Sequence, residues 1–259
     1  MIQYHVYPGG KKKIVTFSYD DGSENDPRLV ALFNQYGMRA AFHLNSQRMQ
    51  DKDPAALRKL YAGHEVSCHT VQHGWLERMP LQSMVNEIME DRKALEQIFR
   101  VPMVSMSYPY GLVRGEDKTF VFRSCGMVYG RTVKNTNDFY LPDDFLLWHP
   151  TCHHKDALPL CEQFLARSKN VLFYIWGHSH DLKTEEQWAE METLLKTLSG
   201  RENIWYATGM EIYNYVTAQK NLQISADERT FYNPSAIPVW VERNKTEILE
   251  IPAGQTVTL

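Results

Sequence analysis

Ile14–Gly22 reads IVTFSYDDG, and this stretch decides the fold. Ile14, Val15, Thr16 and Phe17 are β-branched or aromatic and favour a buried strand. The run ends abruptly in Asp20, Asp21 and Gly22, and the glycine permits a sharp exit from the strand. Two adjacent carboxylates at a strand's C-terminal mouth repel each other unless something positive holds them. A divalent cation does so and lets the two acids take different roles. Taken alone, Asp20-Asp21-Gly22 reads as a solvated turn, since Asp and Gly dominate turns; the histidines further along reverse that.

Outward from this strand the pattern alternates. Asp26-Pro27 reads as an N-cap followed by proline at the first helical position, and Gly37 stops that helix. Ala40–Leu44 is a second strand. Asp53-Pro54 starts another helix, Glu65–Cys68 is a third strand, and a long helix is expected from about Leu81 to Phe99. Strands are expected at Met103–Met106, Met127–Tyr129, Leu146–Trp148, Val171–Trp176 and Ile204–Ala207. Helices are expected near Asp117–Ser124, Leu158–Ser168, Glu185–Leu198 and Met210–Tyr215. Such alternation argues for a parallel α/β architecture, a distorted TIM-like barrel of about seven or eight β/α units over residues 1–218. Most polar clusters follow a strand, where such barrels build their sites. Residues 219–259 change character, with short strand-like pieces between Asn-Pro, Asn-Lys and Ala-Gly turns. They read as a small antiparallel β extension packed on the barrel.

Composition narrows the function. With 43% hydrophobic and 23% charged residues in 259, the chain has an ordinary globular balance. A net charge of −3 gives no basic footprint for nucleic acid and no polybasic membrane patch. No run approaches the roughly eighteen apolar residues of a spanning helix, and Lys11-Lys12-Lys13 precedes no long apolar stretch. Cys68, Cys125, Cys152 and Cys161 have no CxxC spacing and are expected as buried thiols, which fits a cytoplasmic chain; an exported chain without its leader would look the same. Oligomeric state is left open.

His69 and His73 are four residues apart, a spacing that one helical turn would bring to a common face. One carboxylate and two histidines form a known catalytic zinc set with an open fourth position. The order of motifs resembles the polysaccharide deacetylases, the NodB-homology group that forms carbohydrate esterase family four. Thr16–Gly22 is similar to their first motif, with Ser18-Tyr19 as a two-residue insertion, and His69–His73 to their second. Ser107–Gly111 is similar to the third, and His178 resembles the histidine of the fifth. The likeness spans residues 14 to about 180.

The resemblance implies a metal held by Asp21, His69 and His73, most often zinc, with cobalt and nickel also accepted by such a set. It implies Asp20 as general base, the backbone N–H of Tyr110 as an oxyanion donor, and His178 as the acid that protonates the leaving group. The chain also departs from the pattern. Ser107 stands where the family carries an arginine that orients the base, and Arg131 or Arg114 is the candidate substitute. The region Trp148–His154 lacks the family's Asp-Trp pattern, with Trp148 either a pocket wall or a core residue. Trp176 stands where a leucine usually lines the acetyl pocket. Cys152-His153-His154 is a poor metal site, since adjacent side chains seldom point at one ion.

The expected function is metal-dependent removal of acetyl groups from N- or O-acetylated sugars. The alternatives are hydrolysis of a small amide or imide on the same fold, and a carbohydrate-binding protein without turnover.

Overall fold

The computed structural model describes residues 1–4, 6–111, 116–168 and 171–259. Strand β1 (Ile2–Gln3) is followed by β2 (Lys13–Asp20), helix α1 (Asp26–Gln35), β3 (Ala40–Leu44), α2 (Ser46–Met49), α3 (Pro54–Leu60) and β4 (Glu65–Cys68). Then come α4 (Leu81–Phe99), β5 (Ser105–Ser107), α5 (Glu116–Ser124), β6 (Tyr129–Arg131), β7 (Cys152–His153) and α6 (Ala157–Ala166). The alternation ends with β8 (Val171–His178), α7 (Glu185–Leu198), β9 (Ile204–Tyr206) and α8 (Gly209–Lys220). Five short strands follow: β10 (Gln223–Ile224), β11 (Thr230–Tyr232), β12 (Val239–Arg243), β13 (Glu247–Ile251) and β14 (Thr256–Thr258).

Eight parallel strands form one curled sheet in the order β6-β5-β4-β3-β2-β8-β7, with β9 paired to the first half of β2. This is the expected α/β architecture. All eight residues of β2 are buried, as befits a strand covered on both faces. Phe17 and Tyr19 of β2 pack against Phe33 of α1 and Phe42 of β3, each ring worth roughly 1.5–3 kcal/mol when fully removed from water. Gly22 makes the exit from β2 at φ 67°, and a Cβ there would lie 2.7 Å from Met49 Cε. Only glycine meets both demands without strain.

Several expected elements differ in the structure. The Leu146–Trp148 strand is instead a 3₁₀ turn, Phe145–Leu147, held by Asp144, whose Oδ1 accepts the Leu146 N–H at 2.9 Å. Trp148 retains one strand-like feature, an isolated parallel bridge to Arg131 across the seam of the curled sheet. The strands expected at Met103–Met106 and Met127–Tyr129 lie further along, at β5 and β6, where their ends join the site. Asp53 caps α3 through the N–H groups of Ala55 and Ala56. Asp26 does not cap α1: its buried carboxylate accepts from Tyr61 and Ser179.

The C-terminal strands form two small antiparallel sheets, β1-β12-β13 and β10-β11-β14. Helix α8 runs through the division expected at residues 218 and 219, and β1 pairs into the tail, so both ends of the chain contribute to these sheets. Gln219 Nε2 on α8 donates to the carbonyls of Val6 and Trp240, each at 3.0 Å. All four cysteines are buried and free. Among the described residues, no helix is long and apolar enough to cross a membrane.

Candidate active site

The site stands at the C-terminal ends of β2, β4, β5, β6 and β8. In the sheet register Asp20 lies beside His43 of β3 on one side and His178 of β8 on the other. The next residue, Asp21, turns out of the strand at φ 80°, so the two carboxylates diverge.

His69 and His73 are not on a helix. They occupy a loop after β4 in which Thr70 and His73 both have left-handed backbone, φ 64° and 56°. The loop nevertheless brings the imidazoles together, with ring centroids 4.8 Å apart. It is held from behind by Asn45, whose Nδ2 donates to the carbonyls of His69 and Thr70 at 2.6 and 3.0 Å. Asp91, buried on α4, accepts the N–H groups of His69 and Ser46 at 2.9 and 2.8 Å. Neither anchor was apparent from the sequence. The available signal was an acid on the apolar stripe of α4 formed by Met84, Ile88 and Leu95, where an unpaired charge is costly.

The donor atoms of Asp21, His69 and His73 lie within 4.8 Å of one another. His69 Nε2 is 3.7 Å and His73 Nε2 3.8 Å from Asp21 Oδ1. A tetrahedral zinc shell places its ligand atoms about 3.4 Å apart, so small shifts would close these three around an ion. Asp21 Oδ1 and His69 Nε2 are both buried without a hydrogen-bond partner. His69 Nδ1 lies 2.9 Å from the Ser107 carbonyl, so it carries the proton and leaves the Nε2 lone pair free. These residues fit a divalent metal.

Asp20 is buried between Arg131 and Ser107. Arg131 Nη2 donates to its Oδ2, and Ser107 Oγ donates to its Oδ1 at 2.9 Å. Burial alone would raise the Asp20 carboxyl, but the Arg131 guanidinium and His69 hold it well below the usual carboxylate range. Its other neighbour, His43, is pushed down to about 3 by burial, against the pull of Asp20, and is neutral. The charge of Asp20 is therefore answered by Arg131. That arginine is fully buried at the end of β6, also donates to the Thr132 carbonyl at 3.1 Å, and lies 4.7 Å from the Trp176 ring centre. Arg114, the other candidate, lies outside the described residues.

His178 ends β8, with Nδ1 3.3 Å from Asp181 Oδ2. His153 Nε2 lies 3.2 Å from the same oxygen. This second cluster has metal-like spacing, yet His153 Nδ1 accepts the Lys155 N–H at 3.3 Å. Its proton is then on Nε2, pointing at Asp181, so the cluster is a hydrogen-bond network. His180 stacks on His178 and lies 3.9 Å from Asp21. Tyr110 has left-handed backbone, φ 61°, and its ring meets His73 at 4.7 Å.

The two tryptophans part company. Trp176 borders the site against His153, with Nε1 donating to Asn135 at 2.8 Å. Trp148 does not reach it: it is 0% exposed and packs among Tyr129, Phe145 and Tyr174. The pocket-wall role is corrected to a core role, since burying the ring in an aromatic cluster satisfies its large apolar surface.

Residues 8–130 match the sequence profile of the polysaccharide deacetylase family, so the likeness seen in the motifs holds over that stretch. The chain is similar to a peptidoglycan-N-acetylglucosamine deacetylase of Bacillus cereus, 26% identical over 95 residues. That match covers 36% of this chain and 45% of the relative. In structure it is similar to the peptidoglycan deacetylase PdaC of Bacillus subtilis, with a TM-score of 0.57 at 18% identity over 83% of this chain and 95% of the other. It is also similar to Puue allantoinase, with a TM-score of 0.63 at 11% identity over 80% and 91%. These structural likenesses show the fold.

Proposed function

We propose, from the premise that residues 8–130 are polysaccharide-deacetylase sequence, that the chain is a metal-dependent hydrolase removing acetyl groups from N- or O-acetylated sugars. One observation carries this reading. Two buried atoms without partners, Asp21 Oδ1 and His69 Nε2, converge with His73 beside an ionised aspartate held by Arg131 and Ser107.

Asp21, His69 and His73 would hold the metal, with zinc the first candidate. When bound, such an ion supplies Lewis acidity and lowers the pKa of water towards about 7. Asp20 takes the proton of the attacking water; its carboxylate is already ionised, and Arg131 and Ser107 fix its direction. The Tyr110 N–H donates to the acyl oxygen as negative charge develops there. His178 gives a proton to the departing amine or alcohol, with Asp181 holding its Nδ1 as a triad aspartate holds a catalytic histidine. Trp176 borders the acyl group.

Metal content by mass spectrometry, together with acetate release from a panel of acetylated sugars, tests this. About one metal per chain with acetate release is expected, and His73→Ala should lose the metal. A chain that takes up no zinc, or that binds zinc and releases acetate from none of the sugars, overturns the reading.

A further inference from the structure

The stretch that follows Gly22 reaches across to the turn that follows His178. Ser179–Asp181 is a 3₁₀ turn, and it brings Asp181 back to its contact with His178 Nδ1. Both ends of the turn are held by one side chain: Asn25 Nδ2 donates to the Ser179 and Leu182 carbonyls, each at 3.2 Å. Its first residue is held by a file of hydroxyls. Ser179 Oγ donates to Asp26 Oδ1, so Ser23 Oγ is the donor to Ser179 Oγ, at 2.5 Å. The Asn25 N–H donates in turn to Ser23 Oγ at 3.2 Å. Tyr61 bonds the other oxygen of Asp26 at 2.7 Å, and Asp26 and Ser179 are both fully buried.

Asn25 and Asp26 are of the residue types that cap helices. Yet their side chains leave the first N–H groups of α1 uncapped and go to the turn and to Tyr61 instead. Burying a carboxylate is costly unless its oxygens are bonded, and here one of those bonds fixes a neighbouring segment. Asp181 needs such a hold. It is partly exposed, and His153 and Lys155 pull on its two oxygens from 3.2 and 3.5 Å. A turn free to shift would follow them and leave His178 Nδ1 without its partner.

We propose that Asp26 is a positioning residue: through Ser179 it fixes the turn that sets the His178–Asp181 pair, and so aligns the proton donor with the leaving group. This rests on the deacetylase reading. One stretch, Asp20–Asp26, then carries the base, a metal ligand and the clamp on the acid, so the two sides of the site keep their spacing.

The test uses the zinc-loaded full chain and measures acetate release from the best substrate of the acetylated-sugar panel. Ser179→Ala removes the link with a single oxygen atom and should lower kcat about tenfold, with KM and zinc content unchanged. Asp26→Ala should do the same, and the double variant should be no slower than either. Asp26→Asn keeps an acceptor oxygen for Ser179 and should restore most of the rate. Ring-nitrogen NMR of His178, assigned by its loss in His178→Gln, should show the Nδ1–H form in the unaltered chain and in Asp26→Asn, and a mixture of ring forms in Ser179→Ala. An unchanged kcat or an unchanged His178 signal in Ser179→Ala would overturn the proposal. So would a loss of zinc or a matching change in KM, either of which would make the clamp a general brace. If the unaltered chain releases acetate from no sugar, the deacetylase reading fails separately, and the His178 signal decides the clamp: altered in Ser179→Ala it supports the clamp, unaltered it overturns it.

Discussion

Arg131 Nη2 donates to Asp20 Oδ2 across 111 residues of chain, from β6 at one edge of the curled sheet to β2 near its middle. The pair is buried on both sides. Its geometry makes Asp20 an anion in the folded chain and leaves Arg131 no other carboxylate among the described residues.

Asp20→Asn keeps the size of the side chain and removes its basicity. Turnover should fall by about 10²–10⁴ while zinc content stays near one per chain, because Asp21, His69 and His73 are intact. Acetate release and metal analysis on the same preparation check this. Strong residual turnover would take the base role from Asp20.

Arg131→Ala leaves a buried carboxylate without its cation, a change that costs about 3–5 kcal/mol. The folded Asp20 carboxyl is held below its unfolded value. The pair's stabilisation is therefore fully present above about pH 4 and is lost as pH falls from there towards the depressed value. Denaturant melts of the zinc-free chain should show that acid-side loss in the unaltered protein and not in Arg131→Ala. Arg131→Lys, which keeps charge without the fork, should fold and lose about tenfold in turnover. Full activity in both variants would retire the tether.

Asp91→Asn replaces a carboxylate that accepts two N–H groups with an amide that turns a donor towards one of them. Zinc affinity should drop about 10- to 100-fold, as for other groups that orient metal ligands. Calorimetric zinc titration well below the melting temperature checks it; unchanged affinity would make Asp91 a purely structural clamp.

Asp26 has the opposite sign. Burial, opposed by the hydrogen bonds from Ser179 and Tyr61, pushes its carboxyl up to about 6. The folded chain therefore holds this proton more tightly than the unfolded one. Stability from the group is greatest below about pH 4 and is lost as pH rises to about 6. Asp26→Asn should flatten this interval of the melting-temperature curve, and an identical slope in both proteins would refute the assignment.

What could be read from the sequence was what is local. β2 announced itself through Ile14–Phe17, its exit through Gly22, and the metal-type residues through His69 and His73. The loop that aims those histidines was not legible, because the hydrogen bonds that hold its start come from Asn45 and Asp91 on other elements. Arg131 could be named only as one of two arginines, since sequence carries no record of how far a sheet curls. Leu146–Trp148 read as strand because these residues are apolar, but Phe145–Leu147 forms a buried 3₁₀ turn and only Trp148 stays extended, bridged to Arg131.

The seam where β6 meets Trp148 has a consequence for how the protein becomes active. Strands β2, β3, β4 and β5 can pair in sequence, each with a neighbour made shortly before or after it. The contact between Arg131 and Asp20 exists only once the sheet has rolled round. During refolding from denaturant, helical and strand signals should therefore return ahead of enzymatic turnover, and the lag between them would clock the rolling of the sheet.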